Sequence, residues 1–548
     1  METAPKLYLK AYLPLAGLVL VYLITRLTAL TALPMSSEEA TWIHWAQIIV
    51  QYPQEWLISN NGGQQPLFTW LNAVALNIFS DPLVAGRFVS VLAGLASLVG
   101  LYFIGRDAFN RTVGFLAGLI YLVVPYIYFF GQLALPDGLL SAFGIWMFRW
   151  SMHIVQETRP RAKAFKVLGI LMGIAMLTQA RTFVLFPILI VMFYFWRVHQ
   201  RPEFWKQFGV TLGIAFAINL PVLLGSLSVP GGFTLLFFPE NEWMNFINFS
   251  PTIDWYWKFL VFSLGQLHKI YFTYWTQPLV LVLTASLVYL FRERQRVEQV
   301  WWLWFLIPSL IFLLLGSFPF SHLFLITIPP LILLAAAACD RLAHFILITL
   351  RKLIKAPHHA RTPERAAALG GFMVLVLFSG ITWDLIFVKN PLNATYHPTD
   401  RLVYVEGMGS GYGIQEAAQF LAKEAEAFRK KKGIPLPVLL PMSPGNPAEG
   451  VTVYLWSHPD VRLVPAFWWP KSPKLIPSGL RFSHRPSIYQ TSPVMRRETT
   501  LLDYAHIIFP VFGYSGETFL QENPRFQKVW SFEKPGGPLV IFKNNPKK

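Results

Sequence analysis

Cysteine occurs once in the 548 residues, at Cys339, so no internal disulfide can brace the chain and the compartment is not readable from cysteine usage. Charge is also scarce: Asp, Glu, Lys and Arg together make up 14%, where a soluble domain carries about 25%. So few ionised groups cannot cover a chain of this length against water. Acidic residues are the rarer sign, 29 against 46 basic ones, which leaves a formal charge of +17. No internal repeat is evident, which counts against a transporter built from inverted halves. What is abundant is apolar surface: 54% of residues are hydrophobic and 16% aromatic, which excludes disordered, collagen-like and disulfide-scaffold chains. The second solvent implied is lipid.

Apolar runs recur at about 7–33, 83–105, 112–130, 134–152, 167–180, 182–196, 208–226, 270–290, 300–317, 322–349 and 367–388, most of them near the length a bilayer requires. They predict a polytopic α-helical membrane protein with about 11 transmembrane helices. The first run reads as a signal anchor, being longer than a cleaved signal and lacking a small-residue cleavage site. Lys and Arg alternate between loops. One set holds Arg106 and Arg111, then Arg161, Lys163 and Lys166, then Arg197 and Arg201, then Arg292 and Arg296, then Arg351 and Lys352. Residues 31–86 and 227–257 hold none. By the positive-inside rule the basic loops and the N-terminus are cytoplasmic, and the C-terminal region is extracytoplasmic. The basic excess is then topology plus anionic-lipid contact, which leaves no nucleic-acid partner to invoke.

Two outer regions exceed mere connectors. In the loop 34–82, Trp42, Trp45, Ala46 and Ile49 share one helical face and predict a helix lying in the membrane interface. A second helix is expected to start at Pro66. The loop 227–258 is rich in aromatics and reads the same way. The chain therefore divides into a membrane domain, 1–388, and an extracytoplasmic α/β domain, 389–548. In the latter, β-like runs are expected at 402–405, 438–440, 451–455, 506–509 and 539–542, with a helix from about 414 to 430. The turn carrying Gly407, Gly409, Gly411 and Gly413 fails the dinucleotide spacing, because Tyr412 and Ile414 stand where the third glycine belongs. A tight turn is the better reading.

Polar residues at the outer face carry the chemistry. Ser36 followed three residues on by Glu39 matches a capping box, and Glu38 or Glu39 could equally act as a base at the membrane surface. Asp137, after Pro136, is either a helix cap or a working carboxylate. Arg87 and Arg181 break the outer face's avoidance of cations, and either reach for headgroups or bind a phosphate. His322, and His268 with Lys269, are weaker anion ligands. Together these suit group transfer from a lipid phosphate. The leaving group needs no general acid, only a carboxylate to activate the acceptor and cations to hold the phosphate.

These residues resemble the GT-C glycosyltransferases of the protein O-mannosyltransferase and aminoarabinose-transferase type. Glu38-Glu39-Ala40 is similar to that family's D-E-A, Gln65-Pro66-Leu67-Phe68 with Trp70-Leu71 to its K-x-P-L-x-x-W-L, and Arg87-Phe88-Val89-Ser90 to its R-x-x-S. Pro136-Asp137 resembles the second acidic motif, Leu177-Thr178-Gln179 the L-T-K, and Ile328-Pro329-Pro330-Leu331 the proline step. Ser410-Gly411-Tyr412-Gly413 and Lys534-Pro535-Gly536-Gly537 resemble bacterial members.

The resemblance implies a polyprenyl-phosphate sugar donor, an inverting transfer to an extracytoplasmic protein, lipid or glycan, and a home in the cell membrane. It implies Glu38 and Glu39 at the catalytic acidic motif, Asp137 as the second acid, and Gln64 and Gln179 at the positions of lysines that hold the donor phosphate; Arg87, Arg181 and His322, read above as anion ligands, are expected around the same phosphate. In some members Glu38 and Asp137 would correspond to ligands of a divalent metal ion. Three residues depart from the pattern: Glu38 stands for Asp, and Gln64 and Gln179 stand for lysines. Those losses motivate a second expectation, a GT-C-like glycan-lipid binding or assembly subunit without catalysis.

Overall fold

The structure is a computed structural model that describes residues 4–157, 161–227, 253–293, 295–314, 321–353, 362–407, 409–441, 448–466, 475–476, 499–500, 506–509, 520–521, 524, 526–534 and 538–544. Most of the aromatic loop 227–258, and Pro535-Gly536-Gly537, lie outside the described residues.

In chain order the described α-helices of six residues or more begin with α1 (Ala4–Thr28), α2 (Ser37–Gln51), α3 (Leu67–Leu76), α4 (Pro82–Ala108), α5 (Arg111–Val123), α6 (Pro125–Phe130), α7 (Pro136–Gln156), α8 (Ala162–Thr178) and α9 (Phe186–Phe195). They continue with α10 (Phe204–Ser226), α11 (Ile253–Tyr274), α12 (Gln277–Glu293), α13 (Arg296–Leu314), α14 (Ile328–Leu353), α15 (Thr362–Lys389), α16 (Ile414–Lys432) and α17 (Ala448–Leu455). The chain forms two compact units. One comprises 1–30, 90–225 and 236–397; the other comprises 31–89, 226–235 and 398–548.

Among its described residues the first unit holds helices and turns and no strand. It exposes many large apolar side chains, Leu13, Leu20, Val374, Leu375 and Phe378 among them, as a lipid-facing surface requires. Inside, small residues bring backbones together: a Cβ on Gly114 of α5 would lie 2.5 Å from the Tyr102 carbonyl of α4. Polar side chains join helices where the alternative is an unmet group in hydrocarbon. Thr211 Oγ1 donates to the Phe165 carbonyl at 3.0 Å, and Asn219 Nδ2 to that of Gly173 at 3.0 Å. The first half of α14, from Ile328 to Cys339, is buried along its whole length.

Not every apolar run becomes one long helix. Among the described residues, five helical stretches are long and apolar enough to span by themselves: Pro82–Ala108, Phe204–Ser226, Arg296–Leu314, Ser321–Lys352 and Leu369–Lys389. The run 270–290 is instead broken, α11 and α12 meeting at 116°, with Pro278 at the second position of the new helix. The run 112–130 breaks at Val124, held extended (ψ 119°) ahead of Pro125.

In the second unit, strands β1 (Leu436–Pro441), β2 (Val461–Ala466), β5 (His506–Phe509), β6 (Phe526–Phe532) and β7 (Leu539–Asn544) form a sheet in the order β2-β1-β5-β7-β6; β3 (Leu475–Ile476) and β4 (Thr499–Thr500) form a separate pair. β1 runs parallel to β2 and β5, while β7 is antiparallel to β5 and β6. Ala417, Leu421 and Ala425, one face of α16, cover Leu436, Val438, Leu539 and Ile541. The expected helix 414–430 and the strands at 438–440, 506–509 and 539–542 are present. The expected strand 402–405 is instead a π-helical turn, Arg401–Glu406, continuing the helical turn that Pro398 starts. The expected strand 451–455 is α17, because Val451 and Leu455 bury together at helical spacing.

The loop 34–82 belongs to this same unit. Ser37 N donates to the Gly409 carbonyl at 2.9 Å, Gln47 Nε2 to that of Val453 at 3.0 Å, and His44 pairs with Glu449. Of the four residues expected on the interfacial face of α2, Trp42 and Ala46 are buried, with Trp42 edge-on to Phe68 at 5.6 Å, while Trp45 and Ile49 are half-buried.

Candidate active site

Two groups of predicted residues take shape, one in each unit. In the second unit the capping box is complete: Ser36 Oγ accepts from Glu39 N, and Ser36 N donates to Glu39 Oε2 at 3.0 Å. Arg87, in the second turn of α4, grips the same carboxylate in bidentate fashion, Nε to Oε1 at 2.7 Å and Nη2 to Oε2 at 2.9 Å. Its remaining reach goes to the carbonyls of Leu33 at 2.7 Å and Pro34 at 3.2 Å. Both charges are buried, 2% and 0% exposed. Glu39 and Arg87 therefore brace the start of α2 against the start of α4. The guanidinium expected to hold a phosphate is engaged by a carboxylate.

Glu38, one residue earlier, is half-buried and differently placed. Its Oε2 accepts a hydrogen bond from the buried Tyr404 hydroxyl at 2.6 Å. Gln64 is half-buried beyond the turn that follows α2, its backbone N–H closing on the Ser59 carbonyl at 3.0 Å.

The glycine turn positions this acidic pair. Its Gly409 carbonyl takes both Ser37 N and, at 3.2 Å, Ser37 Oγ. Gly411 lies so close to Met35 that a Cβ would come within 2.1 Å of the Met35 carbonyl oxygen. Gly413 adopts φ +83°, which starts α16 in a conformation other residues avoid. Lys534 Nζ donates to the Ser410 carbonyl at 2.9 Å, so two of the C-terminal motifs meet. Burial pulls the Lys534 ammonium down to about 8.

In the first unit, Asp137 stands at the second position of α7, behind Pro136; the cap itself is Leu135. Arg181, in the 3-10 turn Ala180–Leu185 after α8, donates Nη1 to Asp137 Oδ1 at 2.7 Å. The Asp137 carboxylate also sits in a first helical turn, where the macrodipole favours it. Gln179, the C-terminal cap of α8, is 3% exposed, and its Oε1 meets no hydrogen-bond donor among the described residues. His322 is buried in the turn Ser321–Thr327, its ring 6.4 Å from that of Phe130. His268 and Lys269 are exposed on α11.

A divalent metal fits these residues poorly. Asp137 already faces a guanidinium, and among the described residues no three His, Cys, Asp or Glu side chains converge. Sequence reasoning missed Tyr404, which lies 366 residues from its glutamate. It also missed His397, fully buried with Nε2 3.1 Å from Gln266 Oε1; burial, with Lys269 adding to it, holds that imidazole below its usual range. Neither residue has a local spacing that would mark it.

A family model described as dolichyl-phosphate-mannose-protein mannosyltransferase matches residues 63–224. The chain is 26% identical over 155 residues to an undecaprenyl phosphate-alpha-4-amino-4-deoxy-L-arabinose arabinosyl transferase of Aeromonas salmonicida, covering 27% of this chain and 28% of that one. To a second transferase of that name, from Pseudomonas fluorescens, it is 26% identical over 286 residues, covering 50% and 46%. The chain thus matches less than half the length of these curated relatives. The structure is similar to that of ArnT from Cupriavidus metallidurans bound to undecaprenyl phosphate, with TM-score 0.58 and 15% identity over 96% of this chain and 97% of that one. It is also similar to the apo oligosaccharyltransferase of Archaeoglobus fulgidus, with TM-score 0.53 and 10% identity over 98% and 75%. The chain is a polytopic α-helical membrane protein with the GT-C fold. Its relatives in sequence are transferases named for an undecaprenyl-phosphate sugar.

Proposed function

We propose that this chain is a membrane glycosyltransferase that moves a sugar from a polyprenyl phosphate to an acceptor hydroxyl or amine on the outer side of the cell membrane. Glu38 is the base. The acceptor oxygen or nitrogen forms a bond to the anomeric carbon as the bond from that carbon to the phosphate oxygen breaks. The acceptor's proton passes to the Glu38 carboxylate, the polyprenyl phosphate leaves with the bonding pair, and the anomeric centre inverts. Tyr404 positions Glu38. Arg181, oriented by Asp137, binds the departing phosphate, with Gln64, Gln179 and His322 as further polar ligands; Arg87 and Glu39 hold the acidic loop. No step passes through a metal. The N-terminus is cytoplasmic and the region after 389 extracytoplasmic, as the alternation of basic loops supports.

The observation that carries this reading is the division between adjacent carboxylates. Glu39 is locked between Ser36 and Arg87, whereas Glu38 is half-buried and oriented by a phenol. The test is sugar transfer from radiolabelled polyprenyl-phosphate sugars by protein in lipid vesicles. Glu38→Gln is expected to cost about a hundredfold or more in rate. Full activity in that variant overturns the assignment of the base. Activity that persists in EDTA supports the metal-free route, and loss in EDTA overturns it. Donor binding without transfer from any donor overturns the enzyme reading in favour of a non-catalytic glycan-lipid subunit.

A further inference from the structure

The loop 34–82 carries an apolar surface that the chemistry above leaves unused. α3 buries Phe68, Thr69, Asn72, Ala73 and Ala75. Its opposite face holds Leu67 and, three, four and seven residues further on, Trp70, Leu71 and Val74, which is the spacing of one helical stripe. The turn after Leu76 extends that stripe to Ile78, whose N–H donates to the Ala75 carbonyl at 2.9 Å. Leu67, Trp70 and Leu71 are half-buried, but Val74 and Ile78 are 61% and 70% exposed. Trp56, also exposed, stacks its ring on that of Trp70 at 5.8 Å and accepts from Trp70 Nε1 through its carbonyl at 2.6 Å. An indole joins an apolar body to a polar edge, which is why tryptophan gathers where a bilayer meets water.

The chain itself says what meets this stripe. α4 starts at Pro82, four residues after Ile78, and is long and apolar enough to span a bilayer. Four residues reach about 14 Å at most. The stripe therefore lies beside the point where α4 enters lipid, and residues 82–89 of that helix belong to the same unit as α3. Charge then selects the part of the lipid. Residues 31–86 hold no Lys or Arg, and the acids nearest the stripe in sequence are Glu55 and Asp81. Anionic headgroups gain nothing from such a surface, whereas the boundary between glycerol and acyl chain accepts aliphatic side chains and indoles.

We infer that α3 lies in the bilayer interface at the N-terminal end of α4, with Trp56 and Trp70 among the headgroups and Val74 and Ile78 against the upper acyl carbons, and that this anchor needs no anionic lipid. Phe68, on the buried face, packs edge-on to Trp42 of α2, whose first turn carries Glu38. The anchor thus ties that carboxylate to headgroup depth, whatever chemistry Glu38 performs.

The test places a nitroxide on full-length protein in lipid nanodiscs, at Val74→Cys and, separately, at Ile78→Cys. The native Cys339 is fully buried, so the introduced thiol takes the label. Labels at Leu375→Cys, exposed on α15, and at Lys431→Cys, exposed at the end of α16, set the lipid and water limits. Collisions with oxygen, which partitions into lipid, are compared with those of a water-soluble nickel chelate. Oxygen is expected to dominate at both positions, at an immersion of about 5–10 Å, and equally in phosphatidylcholine with or without phosphatidylglycerol. If one variant fails to fold, the other decides. Dominant nickel collisions put the stripe in water and overturn the inference; low collision with both reagents puts it under protein and does the same. Immersion only when phosphatidylglycerol is present overturns the uncharged anchor.

Discussion

Two neighbouring glutamates differ because of what donates to them. Glu39 accepts from Ser36 and from a buried guanidinium, so neutralising it removes the carboxylate that Arg87 grips in bidentate fashion. Glu39→Gln is therefore expected to destabilise the protein by about 3–5 kcal/mol, seen as a lowered unfolding midpoint. Glu38→Gln should leave that midpoint nearly unchanged and remove turnover. Tyr404→Phe deletes one hydrogen bond to a carboxylate, worth about 1.5–3 kcal/mol, and should lower kcat roughly tenfold or more while KM holds. A kcat equal to wild type would remove Tyr404 from the mechanism. The capping box was legible in the sequence because its members are three residues apart and the geometry of a helix start dictates that spacing. The ion pairs were not, since Arg87 lies 48 residues from Glu39 and Arg181 lies 44 from Asp137. The two arginines stood out against an outer face that avoids cations; who met whom is settled by packing.

Among elements, close backbone approach decides what may be changed. Gly411→Ala forces a methyl into the Met35 carbonyl and should displace the segment that carries Glu38, lowering activity and thermal stability together. Gly213→Ala on α10 meets no atom within 4 Å and should be tolerated. Equal behaviour of the two in melting and transfer assays would show that the turn does not position the acidic pair. Long helices and alternating strands were readable because burial imposes their periods. Short apolar runs were not: five residues at 451–455 satisfy a strand pattern and still form α17, while β2 and β6, interrupted by Arg462, Lys528 and Ser531, escaped the same test. The break between α11 and α12 falls inside one apolar run, whose composition does not tell a bend from a span.

For the whole molecule, the basic excess and apolar content foretold a helical membrane protein, and the GT-C fold bears that out. The second unit's stability carries a pH signature. Lys534 titrates near 8 when folded and near 10.5 when unfolded, so between those values the unfolded chain holds a proton the folded one lacks. Stability should rise with pH across that window and be lowest, for this group, below 8. The unfolding midpoint of wild type relative to that of Lys534→Met, followed from pH 7 to 10.5, should rise with pH; a constant difference would contradict it. The same unit has one further property. The bonds that place Glu38 join residues 366 and 372 positions apart. At about 5–20 residues per second of synthesis, the loop bearing Glu38 waits on the order of 20–70 s for Tyr404 and Gly409 to exist. A nascent chain therefore holds its acidic motif unassembled until nearly three quarters of it has been made, so a truncated product would carry Glu38 without the phenol and the glycine turn that place it.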